Sequence, residues 1–256
     1  MQASVAENMS ALKRKIAAIE GRRPFEEACA LRLGIKVVDA TLGGGLARGA
    51  LHELEPRGSI HCGAASGFAL ACAALAARHG DDVLWIESHF AVAETGKPYG
   101  LGLEAFGFSL ARVLIVRVAR SIDVLWVMEE ALRCRGIAAV IAQLTEVPDL
   151  TATRRLALAV RDGGGLGFLV RHRVSPHASA ALTRWQIAAA RSRSDAFGGL
   201  GRAAFDLELT KNRHGPLGRW TILWDHHDRA FLDPALSLAV ARAPCDRSDR
   251  ALRRAG

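Results

Sequence analysis

Histidine and carboxylate side chains stand next to one another at residues 226–228 (HHD), and both types bind metal ions. They follow an apolar run, residues 221–224 (TILW), in a segment with the composition of a turn. No further ligand stands nearby at helical or strand spacing. We therefore interpret the cluster as an exposed turn, and the sequence predicts no metal site.

A nucleophile is the second chemistry to consider, because Ser175 and Ser179 lie near His172 and His177. The exposed serine nucleophile of an α/β hydrolase sits on a sharp turn with the pattern G-x-S-x-G. That pattern does not surround either serine. Hydrolase chemistry is therefore unsupported, and we predict no catalytic residue in this chain.

A glycine-containing segment, residues 62–69 (CGAASGFA), is the third candidate. A phosphate-binding loop reads G-x-x-x-x-G-K-[ST]: backbone N–H groups hold the phosphates, the lysine neutralises them and the hydroxyl binds Mg²⁺. Gly67 has its position, but Phe68 replaces the lysine and Ala69 replaces the hydroxyl residue. We predict a degenerate nucleotide loop that includes Gly63, Gly67, Phe68 and Ala69.

A nucleotide-hydrolysing site also needs carboxylates that order Mg²⁺ and water. Residues 137–144 (IAAVIAQL) predict a central strand by their continuous apolarity, but the neutral Gln143 stands where aspartate is needed. Glu87, at the end of another apolar run, is the remaining candidate carboxylate. A lone carboxylate cannot stabilise phosphoryl transfer, because electrostatics supplies most of that catalysis. We predict neither ATP hydrolysis nor a bound cofactor.

Positive charge is concentrated in one third of the chain. The 34 Lys and Arg exceed the 26 Asp and Glu by 8; residues 150–219 hold 12 of the former and 4 of the latter, and the rest holds 22 of each. This asymmetry is typical of a protein with a phosphate-rich or acidic partner. Solvated arginine faces are the alternative.

Composition indicates the class of protein. Half of the 256 residues are hydrophobic, which favours one α/β domain with a small appendage over a disordered chain. Five cysteines, without a C-x-x-C, favour reduced thiols in the cytoplasm. The longest uncharged apolar run, residues 68–77, is half of the roughly 20 residues that a membrane span needs. We expect no membrane span and no export signal.

The first 23 residues predict an amphipathic helix, because Val5 and Met9 continue into the apolar stripe of Leu12, Ile16 and Ile19. Two interpretations stay open: the helix folds back on its own domain, or it is an arm that docks on a partner. Residues 233–256 end in a basic, polar stretch that predicts a loose tail.

Between these segments, residues 24–232 predict an α/β core. Strands that alternate with helices, followed by a run of hairpins, indicate a mostly parallel sheet flanked by helices with an antiparallel margin. The predicted helices are residues 68–78, 122–133 and 151–160, and the predicted strands are residues 35–38, 51–54, 82–87, 112–117, 137–144, 166–170, 185–190, 205–209 and 220–224.

This order of elements resembles the RecA-like core, and two motifs carry the likeness. Residues 38–49 (VDATLGGGLARG) resemble the L-D-x-x-L-G-G-G-L-x-x-G that opens it. Residues 211–215 (KNRHG) resemble the K-N-R-x-G of RecA-like repair proteins, whose basic residues reach the neighbouring subunit's nucleotide. The resemblance marks Lys211 and Arg213 as contacts to an anion or to a second copy; a structural hairpin is the alternative.

The chain keeps the glycines at residues 43–45 but lacks the lysine of the phosphate-binding loop. In this combination it is similar to the bacterial ImuA family of RecA/SulA-like proteins. The likeness covers roughly residues 30–232. Its late signatures are RWQI at 184–187, LELTKNR at 207–213, GRW at 218–220 and LWD at 223–225.

That resemblance implies an accessory factor in damage-induced (SOS) mutagenesis by translesion DNA synthesis. The expected partners are the RecA recombinase, an inactive Y-family polymerase homologue and, indirectly, an error-prone C-family replicative polymerase. Single-stranded DNA is a further expected partner, because the loop after residues 166–170 faces nucleic acid in RecA-like proteins. Arg171, Arg173 and Arg184 are then the candidates for phosphate contact.

Two other functions fit the same sequence. The chain is a RecA-like ATPase if a neighbouring copy in a homo-oligomer supplies Lys211 or Arg213 as the missing cation. It is a regulator of recombinase filaments if the stripe of Leu12, Ile16 and Ile19 caps the filament. The ATPase needs self-assembly, whereas the regulator needs a partner.

Overall fold

A computed structural model describes three stretches of the chain: residues 30–77, 81–192 and 201–234. The predicted N-terminal helix of residues 1–23, which contains Leu12, Ile16 and Ile19, lies outside the described residues, as does nearly all of the predicted tail, 233–256. Both segments therefore stay predictions.

The core of the described part is a nine-stranded sheet with the order β11-β10-β9-β8-β3-β7-β6-β4-β5. In this order, the six strands from β8 through β3 to β5 are parallel, and the four strands from β11 to β8 pair antiparallel. This arrangement confirms the predicted α/β class with its antiparallel margin. A separate two-stranded sheet joins β1 to β2. The strands are β1 (Ala30–Leu31), β2 (Leu46–Ala47), β3 (Ala50–Pro56), β4 (Asp82–Ser88), β5 (Val113–Val118), β6 (Ile137–Leu144), β7 (Leu166–Arg171), β8 (Thr183–Ala189), β9 (Ala203–Asn212), β10 (Gly218–Asp225) and β11 (Ala230–Leu232).

Helices cover both faces of this sheet. One face buries α2 against Leu54, Phe168 and Trp185, and the other buries α5 and α6 against Leu84 and Leu169. The helices are α1 (Lys36–Thr41), α2 (Cys62–Ala76), α3 (His89–Thr95), α4 (Gly100–Phe106), α5 (Ser121–Arg133) and α6 (Leu150–Gly163). The carboxyl ends of the parallel strands meet at one edge, where ligands of open α/β sheets bind.

The predicted strand at residues 35–38 is wrong, because these residues enter α1. The carboxylate of Asp39 accepts hydrogen bonds from the backbone N–H groups of Leu33 (2.8 Å) and Gly34 (2.9 Å). These contacts fold the chain into a helical turn and outweigh the β-propensity of Val37 and Val38.

The three consecutive glycines after α1 form the tight turn that the sequence predicts. Gly43, Gly44 and Gly45 all have positive φ. At Gly45 a Cβ atom would lie 2.4 Å from the backbone oxygen of Leu31, so only glycine allows β2 to pair with β1 there.

One helical stretch of the described residues, Ser59–Ala76, has the length and composition of a membrane-spanning helix. Half of it is buried in the protein, and α2 within it packs on β3, β6, β7 and β8. A core helix that is apolar on every side meets the same criteria.

Candidate functional site

Residues 62–69 lie where a phosphate-binding loop would join β3 to the next helix, but they are not a loop. They form the first two turns of α2, and the connection consists of residues 57–61 with a short 3₁₀ helix at Ser59–His61. Neither Gly63 nor Gly67 has a positive φ. The predicted loop conformation is wrong, because this alanine-rich stretch is a good helix former, and beyond its first turn the backbone N–H groups bond inside the helix.

Phe68 is a core residue of this helix. It is fully buried, and its ring lies 5.9 Å from that of Trp185, 6.0 Å from that of Phe205 and 5.7 Å from that of Phe231, centroid to centroid. Ala69 beside it is fully buried as well. The positions that resemble those of a lysine and a hydroxyl thus pack α2 onto the sheet.

Two candidate side chains for Mg²⁺ chemistry have partners inside the protein. Gln143, near the end of β6, donates from Nε2 to the Oγ of Ser66 at 3.0 Å. Glu87 on β4 is fully buried and accepts hydrogen bonds from Arg117 Nε (2.6 Å) and Trp85 Nε1 (2.9 Å). The carboxylate of Glu87 is therefore held by a guanidinium and an indole.

Arg171 and Arg184 hold two glutamates of β3 from the strands on either side. Arg171 Nη1 donates to Glu55 Oε1 at 2.8 Å, and Arg184 Nε donates to Glu53 Oε2 at 2.7 Å. Arg171 is only 2% exposed. Burial raises the pKa of Glu55, and the two guanidinium groups counteract that rise. The predicted phosphate contacts of Arg171 and Arg184 are corrected accordingly, since both side chains are engaged in this buried network.

The same cations position the segment that follows β7. Arg184 also donates to the backbone oxygens of Ser175 (3.2 Å) and His177 (2.8 Å), and Lys211 Nζ donates to that of Ser179 (2.6 Å). Burial lowers the pKa of Lys211. Lys211 therefore stabilises a loop of its own chain.

Arg173 and Arg213, in contrast, are exposed. Their guanidinium groups form no ion pair with another residue of the described ranges, although the backbone N–H of Arg213 donates to Leu182 at 3.1 Å. Arg173 stays a candidate for contact with DNA, and Arg213 stays a candidate for contact with an anion or another subunit.

Much of the positive charge of residues 150–219 is neutralised within the protein. In the part of this range that the structure describes, five arginines form ion pairs, and four of the five carboxylates come from outside the range. Composition therefore overstates the positive charge available to a partner. The pairs are Arg155–Glu129, Arg171–Glu55, Arg184–Glu53, Arg202–Asp225 and Arg219–Asp206.

Curated relatives of this chain were found by sequence comparison. Protein ImuA of Caulobacter vibrioides (strain NA1000 / CB15N) is 34% identical over 196 residues, which cover 70% of this chain and 77% of the relative. Protein ImuA of the strain ATCC 19089 / CIP 103742 / CB 15 matches with the same values. The chain belongs to the ImuA family. No family model matches it.

In this ImuA-family chain, the two motifs that carry the RecA-like resemblance contact each other. Asn212 Nδ2 donates to the backbone oxygen of Thr41 at 3.1 Å and to that of Pro216, and its Oδ1 accepts from the N–H of His214. A Cβ atom on Gly215 would lie 2.6 Å from Thr41 O. The asparagine and glycine of the hairpin motif thus fasten it to the end of α1.

Sequence reasoning missed a cleft of about 510 Å³ at the carboxyl ends of β4, β5, β6 and β7. Polar residues follow each of these strands, and that signal could have found it. The side chains that line the cleft include Phe90, Glu94, Arg120, Ser121, His172 and Arg173.

The histidines at residues 226–228 lie in a turn, as predicted. His226 Nδ1 contacts the backbone oxygen of Ala105 at 3.0 Å, and Asp225 accepts the N–H groups of His227 and Asp228. Within residues 30–77, 81–192 and 201–234, no group of three metal-ligating side chains is close enough to hold an ion.

Proposed function

We propose that this ImuA-family protein is a non-catalytic accessory factor of damage-induced mutagenesis, whose RecA-like core is a cytoplasmic scaffold for partners. The family provides the link to mutagenesis. The observation that favours a non-catalytic role is the burial of Phe68 in an aromatic cluster. Phe68 lies on α2, at the position where the phosphate-binding pattern has its lysine.

A competent site would need three changes to this geometry. The chain before Gly67 would have to form a loop that wraps the phosphates, whereas residues 62–66 are helical and offer only the free N–H groups of one helical end. A lysine at Phe68 would have to leave the core. A carboxylate would have to replace Gln143, which is bonded to Ser66. Phosphoryl transfer depends on these electrostatic contacts, so their joint absence supports an adaptor over an ATPase.

The partners are carried over from the family: the RecA recombinase, the inactive Y-family polymerase homologue and, through it, the error-prone C-family polymerase. Single-stranded DNA and a second copy of the chain are further candidate partners. Exposed cations that lack a carboxylate partner among the described residues support an acidic or phosphate-rich partner, and Arg173 and Arg213 lie on the loops next to the buried glutamate network.

ATP binding and turnover by the full chain, measured at high protein concentration, test the non-catalytic role. We expect no turnover above the buffer blank. Turnover that Lys211→Ala or Arg213→Ala abolishes would support the ATPase in which a neighbour supplies the cation. In that case the protein must also self-associate, which analytical ultracentrifugation detects.

Co-purification with the recombinase and with the polymerase homologue tests the adaptor role. We expect both to bind. If deletion of residues 1–22 abolishes recombinase binding while the core keeps its circular dichroism spectrum, the filament regulator is supported. Binding of neither protein would reject the adaptor.

Contact with single-stranded DNA is tested by fluorescence anisotropy at several salt concentrations. Removing one phosphate-binding side chain should lower the slope of log affinity against log salt by about one unit. We expect this change for Arg173→Gln. Arg154→Gln, which removes an exposed charge from the outer face of α6, is the matched control.

A further inference from the structure

The cleft at the carboxyl ends of β4 to β7 holds a buried imidazole with one unsatisfied nitrogen. His172 is 7% exposed, and its Nδ1 lies 3.4 Å from Glu94 Oε2. Its Nε2 is buried and has no hydrogen-bond partner among the described residues. Because buried polar atoms nearly always have a partner, this nitrogen indicates a missing group in the cleft that His172 and Glu94 line.

The amino end of α5 opens into the same cleft. This thirteen-residue helix begins at Ser121, and no side chain caps it at Arg120. The hydroxyl of Ser121 lies 3.4 Å from that of Thr145, which also lines the cleft. The N–H groups of this first turn and the positive end of the helix dipole favour an anion such as a phosphate, and the carboxylate of Asp123 in the same turn offsets part of that charge.

Two arginines add positive charge to this end of the cleft. Arg173 is exposed and forms no ion pair with another described residue. Arg120 is bonded to Asp123 through two nitrogens and so contributes less net charge. Glu94 and Glu146 face the cleft as well, so an anion alone should bind more weakly than a ligand that also carries hydrogen-bond donors. Their carboxylates accept hydrogen bonds from hydroxyl or amino groups.

We propose that this cleft binds a small phosphorylated molecule that carries hydroxyl or amino donors and a planar or apolar part. The phosphate lies at the amino end of α5, next to Arg173, and accepts a hydrogen bond from His172 Nε2. Nδ1 of the same ring keeps its contact with Glu94 Oε2 at 3.4 Å. Phe90, which is 57% exposed at the mouth of the cleft, contacts the planar part. The volume of about 510 Å³ suits such a ligand.

This site borders the start of α2, where Cys62 Sγ lies 3.9 Å from the backbone oxygen of His172. The proposal does not depend on the adaptor role. Isothermal titration of the full chain at low ionic strength tests it with two probes, inorganic phosphate and AMP. We expect both to bind, AMP about tenfold more tightly because it also uses Phe90 and the carboxylates.

Two variants locate the binding site. Arg173→Gln removes the exposed cation, and His172→Gln removes the buried imidazole; each should weaken AMP binding about tenfold or more. Arg135→Gln removes an exposed charge just past the opposite end of α5 and should leave binding unchanged. If His172→Gln does not fold, the ¹⁵N resonances of the His172 imidazole in the unaltered protein should shift when AMP is added.

Three results would overturn the proposal: neither probe binds at millimolar concentration, binding survives both Arg173→Gln and His172→Gln, or an oligodeoxynucleotide binds while phosphate and AMP do not. If the two variants weaken phosphate binding but AMP binds no more tightly than phosphate, the anion site is supported. That result would reject the part of the proposal in which the ligand carries a planar group.

Discussion

Gln143 Nε2 donates a hydrogen bond of 3.0 Å to Ser66 Oγ and thereby joins the carboxyl end of β6 to the second turn of α2. In a nucleotide-hydrolysing relative of this fold, the same edge of the sheet binds Mg²⁺ and phosphate. A neutral amide and a hydroxyl instead contact each other directly. The other polar atom of the amide, Oε1, is buried without a partner among the described residues. Removal of the Ser66 hydroxyl would therefore leave both polar atoms of the Gln143 amide unsatisfied.

Ser66→Ala should destabilise the protein by about 1–3 kcal/mol, because the amide of Gln143 then has no acceptor for its N–H group while it stays buried. Gln143→Met in the same background should recover most of that stability, since it removes both unsatisfied atoms at similar volume. Urea unfolding of the two single variants and the double variant measures the coupling. Strictly additive effects would show that the contact is energetically unimportant.

Phe68→Ala should lower the free energy of unfolding by about 3–5 kcal/mol, because it opens a cavity among Trp185, Phe205 and Phe231. Phe68→Lys should be at least as damaging and should not produce ATPase activity. Ile60→Ala is the control, since this side chain is 87% exposed next to α2 and its truncation should change stability by less than about 0.5 kcal/mol. ATP turnover by Phe68→Lys would contradict the core role of this position.

The sheet can be predicted because its central strands are continuously apolar. The sequence predicts a strand at residues 137–144, and β6 has the same bounds. The start of α2 cannot be predicted in this way: the helix is apolar on all sides, so it has no periodicity, and its two glycines are typical of a loop. Helices α3 and α4 escape prediction as well, since seven residues are too few to show a helical repeat.

The candidate site is harder to predict because its contacts join distant parts of the chain. Arg171 is 116 residues from Glu55, and Arg184 is 131 residues from Glu53. An arginine in a sequence is by default an exposed charge. Only the register of β3 with its neighbours shows that these two arginines are internal, whereas Arg173 is exposed as predicted.

Arg184→Gln should destabilise the protein by about 3–5 kcal/mol, because it leaves the buried Glu53 without its closest cation. It should also loosen the segment that Arg184 holds through Ser175 and His177. Hydrogen exchange of the Ala180 amide, which donates to Thr153 Oγ1 at 3.1 Å, should become faster. Arg173→Gln is the matched control and should leave stability and exchange unchanged.

Gly45→Ala should cost about 3 kcal/mol or more, since φ is +135° and the new Cβ atom would lie 2.4 Å from Leu31 O. Gly63→Ala is a same-type control in α2, where a Cβ atom meets nothing within 4 Å. It should stabilise the protein by about 0.5–1 kcal/mol through helix propensity. Thermal unfolding of both variants measures the difference; equal effects would contradict the close approach of β2 to β1.

Stability should fall as pH decreases below 6.5, because His52 is buried in its neutral form. Burial lowers the pKa of His52 from the ordinary 6.5 to about 4. The unfolded chain therefore binds the proton first, so the stabilisation is complete above pH 6.5 and is lost as pH falls towards 4. The shift corresponds to about 3 kcal/mol over that window.

His52→Gln isolates this contribution from that of the carboxylates. In the native protein, His52 Nε2 donates to Ala47 O at 3.0 Å and Nδ1 accepts from Thr183 Oγ1 at 2.8 Å, a pairing that only the neutral ring satisfies in full. The variant should be less stable at pH 7, but the difference should shrink towards pH 4, where the native protein loses its advantage. Urea unfolding at pH 7, 5.5 and 4.5 measures both curves. Parallel curves would show that another group causes the acid sensitivity.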